Sequence, residues 1–543
     1  MDRTVTDALL DLVVDWGVTH LFTCPGSTEA SVLDALVDRK DLELVLTTHE
    51  GVTVSIADGL SRITGDPSLA YLHANVGLTN GLANLYAAQL AHSPVVVLNG
   101  LKSTAVQSRD GFTTARHTRD LVAQFVKDDW QSLTDGAVIE DVNRAFGLAV
   151  AEPAGPVWVG LSQDLLTGPA GAATDDTRPH RVDTRVAPPA ATLASAARLL
   201  GEARAPVLIA GNEVGRAGAV PAMVALSERL GAPVLMEERR GFERAGFPTG
   251  HPHYRGEYDV DHPLVQAADV LFFAGARVFH EFEATRRPAL PPGASVLHSH
   301  PDARELGRVR GVDVGLVGDQ RLVLEELARL LAGRAPTPLP PAGPHPAAAP
   351  DPAPGRLAAG VLRPVDAVRA ITEALAGSTL VGDATTAGGL LQRYADKPSP
   401  ESFFTTSSGS LGWGMGAALG IKLGLPHRHV AAVLGDGVFQ FGIQALWTAA
   451  RYNIPVSYVV LNNERYAAVG AALRRFNGRA VATNTYPGTD LAGPRIAEVS
   501  TAFGVPGVRV SGLRELRDEL RAARSAQGPV LIEVMTDPDD FGP

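Results

Sequence analysis

Cysteine is almost absent from this chain of 543 residues, because Cys24 is the only one. A single cysteine excludes a disulfide within the chain and any zinc site built from several thiolates. A surplus of basic residues is also missing: the formal net charge is −11, which argues against nucleic acid as the main partner. No apolar run reaches the roughly 18 residues that a membrane-spanning helix needs. We therefore predict a soluble protein without a membrane partner.

The beginning of the sequence lacks the features of an export signal. Residues 1–18 have the pattern of an amphipathic helix, with Asp2 and Asp7 near its start. A signal peptide has basic residues followed by an uninterrupted apolar stretch, and this segment has neither. We therefore expect a cytoplasmic protein.

Composition and periodicity indicate several α/β domains. Hydrophobic residues make up 45% and charged residues 20% of the chain, as in globular proteins, and the length predicts three or four domains. Short apolar segments alternate with helical ones, which is typical of parallel sheets covered on both faces. We predict an α/β fold with three doubly wound domains over 1–175, 190–333 and 357–543. Residues 334–356 are rich in Pro and Ala, and we predict a linker there.

Two short polar motifs near the C-terminus point to a metal site. An apolar strand leads into a predicted Gly-Asp-Gly turn at 435–437, a predicted helix over 443–452 follows, and a second strand ends in Asn462-Asn463. Open parallel sheets bind ligands at the carboxyl ends of their strands, so we expect Asp436 and Asn463 at one edge. One carboxylate, one amide oxygen and one backbone carbonyl suit a Mg²⁺ that also binds a diphosphate. A glycine motif alone is weak evidence, because many such motifs only form a turn.

Together, GDG and the later NN resemble the signature of thiamin diphosphate-dependent enzymes. Further segments are similar to the superfamily of 2-oxo acid decarboxylases and acetolactate synthases: CPGSTE (24–29), HEGVTVSIADGLSRITG (49–65), LHANVGLTNGLANLYAA (72–88), AHSPVVVLNG (91–100) and SSGSLGWGMGAALG (407–420). Within that superfamily the chain is most similar to benzoylformate decarboxylases, through LH (72–73), FPTGHPHYRG (247–256) and ALWTAARYNIP (445–455).

The resemblance implies a role for each predicted domain. The first would bind the pyrimidine of thiamin diphosphate, the second would be a central α/β domain, and the third would bind the diphosphate and Mg²⁺. Thiamin diphosphate and Mg²⁺ are therefore the implied cofactors. The implied assembly is a homodimer or homotetramer with its sites at the subunit interface, and the sequence does not choose between the two.

The resemblance also implies individual roles for residues around the cofactor. Glu50 would share a proton with the pyrimidine N1′, because a carboxyl group in an apolar setting can hold that proton. Asp436, Asn463 and the backbone carbonyl of Arg465 would bind Mg²⁺. The other implied cofactor contacts are Thr385, Thr386, Gly409, Leu411, Gly435, Gly437, Val438 and Tyr466. Leu411 would force the cofactor into its bent conformation.

Ser27 and His73 match the serine and histidine that face the 2-oxo acid in benzoylformate decarboxylases. A hydroxyl group can bind a carboxylate, and a histidine can move protons near neutral pH. The implied reaction is decarboxylation of a 2-oxo acid through an enamine, whose protonation releases an aldehyde. The side chain of the 2-oxo acid and the pathway are not implied by the sequence.

Several departures from the family pattern leave the reaction open. Phe282 stands where benzoylformate decarboxylases have a second catalytic histidine, and His280 lies two residues earlier. Phe112-Thr113 stand near the place of the adjacent histidines of pyruvate decarboxylases. Four arginines, which suit either an acidic substrate or a solvated helix face, follow the second motif: Arg465, Arg474, Arg475 and Arg479.

Other functions are therefore considered alongside decarboxylation. A carboligase of acetolactate synthase or benzaldehyde lyase type would join the enamine to an aldehyde or ketone acceptor, and slower protonation without the second histidine favours it. A flavin- or quinone-linked oxidase is another class, and binding of FAD or another nucleotide by the central domain is left open. The glycine turn at 211–215 lacks the G-x-G-x-x-G spacing and favours a simple tight turn. A homologue without turnover is disfavoured by the presence of Glu50, Asp436 and Asn463.

Overall fold

The structure is a computed structural model. It describes residues 3–171, 178–278, 290–308, 311–335, 338–339 and 360–538. Phe282 and His280, as well as most of the predicted linker at 334–356, lie outside the described residues.

The N-terminal part of the chain forms a six-stranded parallel sheet in the order β2-β1-β3-β4-β6-β5. Its strands are β1 His20–Cys24, β2 Glu43–Leu46, β3 Ser68–His73, β4 Val95–Leu101, β5 Asp128–Gln131 and β6 Val157–Ser162. Its helices are α1 Val5–Asp15, α2 Ala30–Ala35, α3 Glu50–Thr64, α4 Ala74–Leu90, α5 Thr104–Gln107, α6 Thr118–Val122, α7 Val138–Val150 and α8 Gln163–Leu166. The central strands β3, β4 and β6 are almost entirely buried, as expected for a sheet covered on both faces.

The central part forms a second six-stranded sheet in the order β12-β11-β10-β7-β8-β9. Its strands are β7 Pro206–Ala210, β8 Val234–Met236, β9 Tyr254–Glu257, β10 Val270–Ala274, β11 Ser295–His300 and β12 Val314–Val317. Its helices are α9 Ala190–Glu202, α10 Asn212–Arg216, α11 Val220–Leu230, α12 Pro263–Gln266 and α13 Gln320–Leu330.

The C-terminal part forms a third parallel sheet, in which five strands run in the order β13-β15-β16-β18-β17. The strands of this part are β13 Thr379–Asp383, β14 Phe403–Thr405, β15 Val430–Gly435, β16 Val456–Asn462, β17 Gly507–Val510 and β18 Val530–Met535. The helices are α14 Pro364–Ala374, α15 Gly388–Tyr394, α16 Trp413–Gly424, α17 Asp436–Gly442, α18 Ala445–Arg451, α19 Ala467–Phe476, α20 Arg479–Thr483, α21 Ile496–Ala502 and α22 Leu513–Ala523. The predicted α/β class with three parallel sheets is confirmed.

The described residues form two compact units, one within 1–183, 357–388 and 408–542 and the other within 184–356 and 389–407. The first unit contains the N-terminal sheet and the five strands of the third sheet. The predicted domain boundaries remain a prediction. Among the described residues, none of the helices is long and apolar enough to cross a bilayer.

Within the first unit, α3 packs along α16 through a buried polar network. The Trp413 ring nitrogen donates to Asp58 at 2.6 Å, and the Arg62 guanidinium bonds the same carboxylate at 3.0 Å. That guanidinium also lies 4.5 Å from the centre of the Trp413 ring, a cation–π contact. The network ties the helix that begins with Glu50 to the helix that follows Leu411.

Candidate active site

Three predicted catalytic residues lie at the carboxyl edge of the N-terminal sheet. Ser27 opens a short 3₁₀ helix after β1, Glu50 is the first residue of α3 after β2, and His73 ends β3. These strands are neighbours in the order β2-β1-β3. The register pairs Thr23 with Leu46 and Cys24 with Leu72, so the three strands end at one level.

Glu50 is a buried carboxylate held by the helix that follows His73. The Asn80 amide donates to Glu50 Oε2 at 3.0 Å. Gly77, one turn earlier in α4, lies so close that a Cβ there would be 2.9 Å from Oε1. A larger residue at 77 would therefore displace the carboxylate. His49 is the N-cap of α3, and its Nδ1 accepts from the Gly51 N–H at 3.0 Å.

Cys24 lies beside Glu50 at the end of β1. Burial and the neighbouring Glu50 carboxylate raise the pKa of the Cys24 thiol to about 11. The thiol is therefore protonated near neutral pH and unsuited to act as a nucleophile.

His73 is oriented by Glu29, a residue that sequence reasoning missed. His73 Nδ1 lies 2.9 Å from Glu29 Oε2 and 2.8 Å from the Thr28 hydroxyl. Glu29 is fully buried and also accepts from the Gly26 N–H at 2.7 Å. Because a carboxylate only accepts hydrogen bonds, this contact places a proton on Nδ1. Nε2 is then the nitrogen that can exchange a proton with a substrate.

Lys102, which directly follows β4, extends the same edge. Its Nζ donates to Ser27 Oγ at 3.0 Å. A positive charge beside a hydroxyl group makes this corner suitable for a carboxylate. No sequence pattern pointed to Lys102, because Ser27 lies 75 residues away and follows β1, which is separated from β4 by β3.

The two predicted metal-binding side chains converge at the edge of the third sheet. Asp436 begins α17 and Asn463 directly follows β16. The Arg465 N–H lies 3.3 Å from Asp436 Oδ2 and 3.1 Å from Asn463 Oδ1, so both oxygens meet at one donor. Burial raises the pKa of Asp436 to about 6, although backbone N–H groups lower it. A bound cation would favour the ionised carboxylate.

The surroundings of this pair fit a metal–diphosphate group. The Arg465 carbonyl accepts from the Ala467 N–H at 2.9 Å, and a backbone carbonyl has two lone pairs, so such an oxygen can accept a hydrogen bond and bind a cation together. Tyr466 packs over Gly437, where a Cβ would be 2.6 Å from the ring, so only glycine fits there. Gly435 ends β15, and Val438 is buried in α17. The predicted turn at 435–437 is instead a strand end followed at once by a helix.

The remaining predicted cofactor contacts lie along the same edge. Thr385 and Thr386 occupy the turn between β13 and α15, and β13 pairs with β15. Gly409 has a φ of 71° and, with Leu411, lies in the segment before α16. Asp383, at the end of β13, was missed by sequence reasoning. It accepts from the Gly414 N–H at 3.0 Å and anchors the start of α16.

The segment before α16 also contacts the first sheet's helices. The Ser410 hydroxyl donates to Asn84 Oδ1 at 2.7 Å, and the Asn84 amide donates to the Gly51 carbonyl at 2.7 Å. This link joins the neighbour of Leu411 to the first turn of α3.

Arg474 and Arg475 lie in the last turn of α19 and are exposed, with Arg474 5.6 Å from the Tyr486 ring centre. The predicted roles of all these residues remain predictions.

Comparison with known proteins agrees with this geometry. Three family models match: the thiamine pyrophosphate enzyme N-terminal TPP binding domain at residues 3–121, the central domain at 193–327 and the C-terminal TPP binding domain at 383–534. Benzoylformate decarboxylase of Pseudomonas aeruginosa is 31% identical over 98% of this chain and 99% of its own. Acetolactate synthase isozyme 3 large subunit of Escherichia coli is 28% identical over 94% of this chain and 90% of its own. The structure of the thiamine diphosphate-dependent 4-hydroxybenzoylformate decarboxylase of Rhodococcus jostii RHA1 superposes with a TM-score of 0.89, 28% identity, and coverage of 99% of this chain and 100% of that chain.

Proposed function

Because the chain belongs to the thiamine pyrophosphate (thiamin diphosphate) enzyme family, we propose that it uses this cofactor with Mg²⁺ to decarboxylate a 2-oxo acid and release an aldehyde. The observation that carries the proposal is the edge of the N-terminal sheet, where a buried carboxylate, a hydroxyl group and an oriented histidine follow three neighbouring strands. The likeness to decarboxylases of aromatic 2-oxo acids supports the substrate class.

Each polar group at that edge has a task in this reaction. When bound, thiamin diphosphate supplies a carbanion that adds to the 2-oxo carbon and an electron sink for the broken C–C bond. Glu50 would hold the proton for the pyrimidine of the cofactor, and Asn80 fixes the direction of the Glu50 carboxyl group. Ser27 and Lys102 bind the substrate carboxylate. His73 delivers a proton from Nε2 to the product, while Glu29 keeps the ring in place.

The third sheet would hold the cofactor. Asp436 and Asn463 would bind Mg²⁺ together with the Arg465 carbonyl, since Mg²⁺ uses few protein oxygens and shares the diphosphate. Thr385, Thr386 and the N-terminal turn of α17 would contact the phosphate oxygens, because a helix N-terminus presents N–H groups to anions.

We also propose that the protein is a homodimer or homotetramer in which the N-terminal sheet of one subunit meets the third sheet of another. Several large apolar side chains near these edges are exposed in the single chain, among them Val76, Phe112, Phe441 and Phe476. Exposed apolar groups of this size favour coverage by a partner. Light scattering after size-exclusion chromatography would measure the number of subunits, and a monomer with full activity would contradict this arrangement.

Carboligation is a second candidate, favoured by the similarity to acetolactate synthase. Product analysis by mass spectrometry, with and without an added aldehyde, separates the two. Free aldehyde formed from one 2-oxo acid and lost in Glu50→Gln supports the decarboxylase. A 2-hydroxyketone formed mainly when acceptor is present supports the carboligase instead.

A further inference from the structure

We propose that Glu533 is a positioning residue of the magnesium site, which holds in place the turn that carries Asn463 and Arg465. The proposal rests on the cofactor proposed above. Glu533 lies in the middle of β18 and has no exposed surface. A carboxylate removed from water in this way needs partners for its charge and its lone pairs.

The partners of Glu533 come from three different elements of the third sheet. Its Oε1 accepts from the Asn462 amide at 2.7 Å, and its Oε2 accepts from the Ala497 N–H at the start of α21 at 3.0 Å. Arg509 in β17 places its Nε 3.3 Å from Oε1. These contacts compensate the buried charge and fix the carboxylate in one orientation.

Asn462, the first residue of the Asn-Asn pair, is held from both sides of its amide group. Its nitrogen donates to Glu533, so its oxygen must face the other way. That oxygen accepts from the Glu464 N–H at 2.9 Å. Glu464 has a φ of 55°, a left-handed conformation that residues other than glycine seldom adopt. The Asn462 contact therefore supports an unfavourable turn.

This turn determines where the predicted metal ligands lie. Because Glu464 is left-handed, the chain reverses after Asn463, and the Arg465 N–H returns to Asn463 Oδ1 at 3.1 Å and Asp436 Oδ2 at 3.3 Å. Arg509 adds a second support, since its Nη2 lies 3.6 Å from Glu464 Oε1. A continuous set of contacts thus runs from Glu533 through Asn462 to the convergent oxygens.

A purely structural role predicts something different. Glu533 also caps the N-terminus of α21 through Ala497, and a carboxylate there stabilises a helix. If that were its whole role, its replacement would lower stability and leave metal affinity unchanged. Metal affinity therefore distinguishes the two roles.

The test is a calorimetric titration of Mg²⁺ into the full-length protein with thiamin diphosphate, for wild type and Glu533→Gln. A glutamine cannot accept from both Asn462 and Ala497, because one side of its amide is a donor. We expect the Mg²⁺ affinity of Glu533→Gln to fall about 10-fold or more, as for other residues that orient metal ligands. The matched control is Glu237→Gln, at a buried carboxyl group of the second sheet with two backbone donors, and this variant should bind Mg²⁺ as wild type does.

A reversed pair makes the test specific. In the double variant Asn462→Asp with Glu533→Gln, the glutamine donates to the aspartate, and the aspartate still accepts from Glu464. We expect this pair to regain most of the affinity lost in Glu533→Gln, because the hydrogen bond between positions 462 and 533 is restored with its direction reversed. Wild-type affinity in Glu533→Gln, or a double variant as weak as the single one, would overturn the proposal.

Two further outcomes are decisive. If Glu533→Gln does not fold, Arg509→Gln tests the same contacts from a side chain that is 36% exposed. We expect it to bind Mg²⁺ about threefold more weakly, and unchanged binding would overturn the proposal. If wild type shows no Mg²⁺-dependent binding of thiamin diphosphate, the proposed function is wrong, and the role proposed for Glu533 is wrong as well.

Discussion

The second and third sheets have the same kind of fold, but the polar groups at their carboxyl edges make different contacts. In the second sheet, the carboxyl group of Glu237 at the end of β8 accepts from the backbone N–H groups of Asn212 at 3.0 Å and Arg277 at 2.8 Å. A Cβ on Gly211 would lie 2.2 Å from the Gly275 carbonyl, so the chain's own backbone closes the space between β7 and β10. In the third sheet, Asp436 Oδ2 and Asn463 Oδ1 converge on the Arg465 N–H, and Asp436 Oδ1 also accepts from the Gly437 N–H at 2.7 Å.

The difference shows that a doubly wound sheet does not by itself make a ligand site. In open α/β sheets, ligands bind outside the carboxyl ends of the strands, where side chains from neighbouring strands can converge. The third sheet brings together the side-chain oxygens of Asp436 and Asn463 from two neighbouring strands, whereas the carboxyl group of Glu237 bonds to the backbone of its own sheet without a second side-chain oxygen beside it. The sequence interpretation of 211–215 as a simple tight turn is corrected by the structure, in which Gly211 leads directly into the helix α10.

The largest effect is expected at the edge of the N-terminal sheet. Glu50→Gln removes the carboxyl proton while keeping the size of the side chain and an acceptor for Asn80. We expect turnover to fall about 100-fold or more, since positioned acids and bases contribute that much. Steady-state kinetics would measure it, and thiamin diphosphate binding should be largely retained. Turnover near that of wild type would remove Glu50 from the reaction.

A smaller effect is expected at the third sheet. Asp436→Asn keeps the shape of the side chain and removes its negative charge, so Mg²⁺ loses its carboxylate ligand. We expect the Mg²⁺ concentration needed for half-maximal cofactor binding to rise about 10- to 100-fold, which fluorescence titration would measure. If that Mg²⁺ concentration does not change, the metal binds elsewhere, and the proposed difference between the second and third sheets is wrong.

Lys102 should affect substrate binding more than catalysis. Lys102→Met removes the charge beside Ser27, and an ion pair near the surface contributes on the order of 1 kcal/mol. We therefore expect KM for the 2-oxo acid to rise about fivefold with little change in kcat. Lys102→Arg is the matched control and should restore most of the affinity. A loss confined to kcat would assign Lys102 a different role.

The smallest effect on the reaction is expected from the second sheet, where the prediction concerns the pH dependence of stability. Burial raises the pKa of Glu237 to about 8 from an ordinary value of 4.5. Between these values the unfolded chain loses a proton that the folded protein keeps, so stability falls as pH rises through this window. Glu237→Gln should flatten the decline between pH 5 and 8 by at most about 1.4 kcal/mol per pH unit, measured by urea unfolding. Parallel declines in both proteins would show that Glu237 is not the cause.

Local sequence patterns were sufficient to predict much of the fold and the outline of the site. Alternating apolar and helical segments predicted the three parallel sheets, because that periodicity follows directly from burial on both faces. The motifs at 435–437 and 462–463 predicted that Asp436 and Asn463 meet at one edge, and the pairing of Gly435 with Leu461 brings them there. The helix predicted over 443–452 is present as α18, Ala445–Arg451, and a separate helix, α17, precedes it at Asp436–Gly442.

The supporting residues could not be predicted in the same way. Glu29 lies next to His73 only because β1 and β3 are neighbours, and Lys102 reaches Ser27 across the same sheet. Glu533 and Asn462 are 71 residues apart in sequence and meet through the pairing of β16 with β18. Such contacts depend on strand order and register, which no local pattern in the sequence reports.

The most direct test of the central claim is CO₂ release from a panel of aromatic, aliphatic and acidic 2-oxo acids. Each acid would be tested with thiamin diphosphate and Mg²⁺ together, with either cofactor alone and with neither. We predict CO₂ from one class of acid only when both cofactors are present. Bound thiamin diphosphate without CO₂ from any acid would contradict the account and point to a lyase that acts on a preformed hydroxyketone or acyl-CoA.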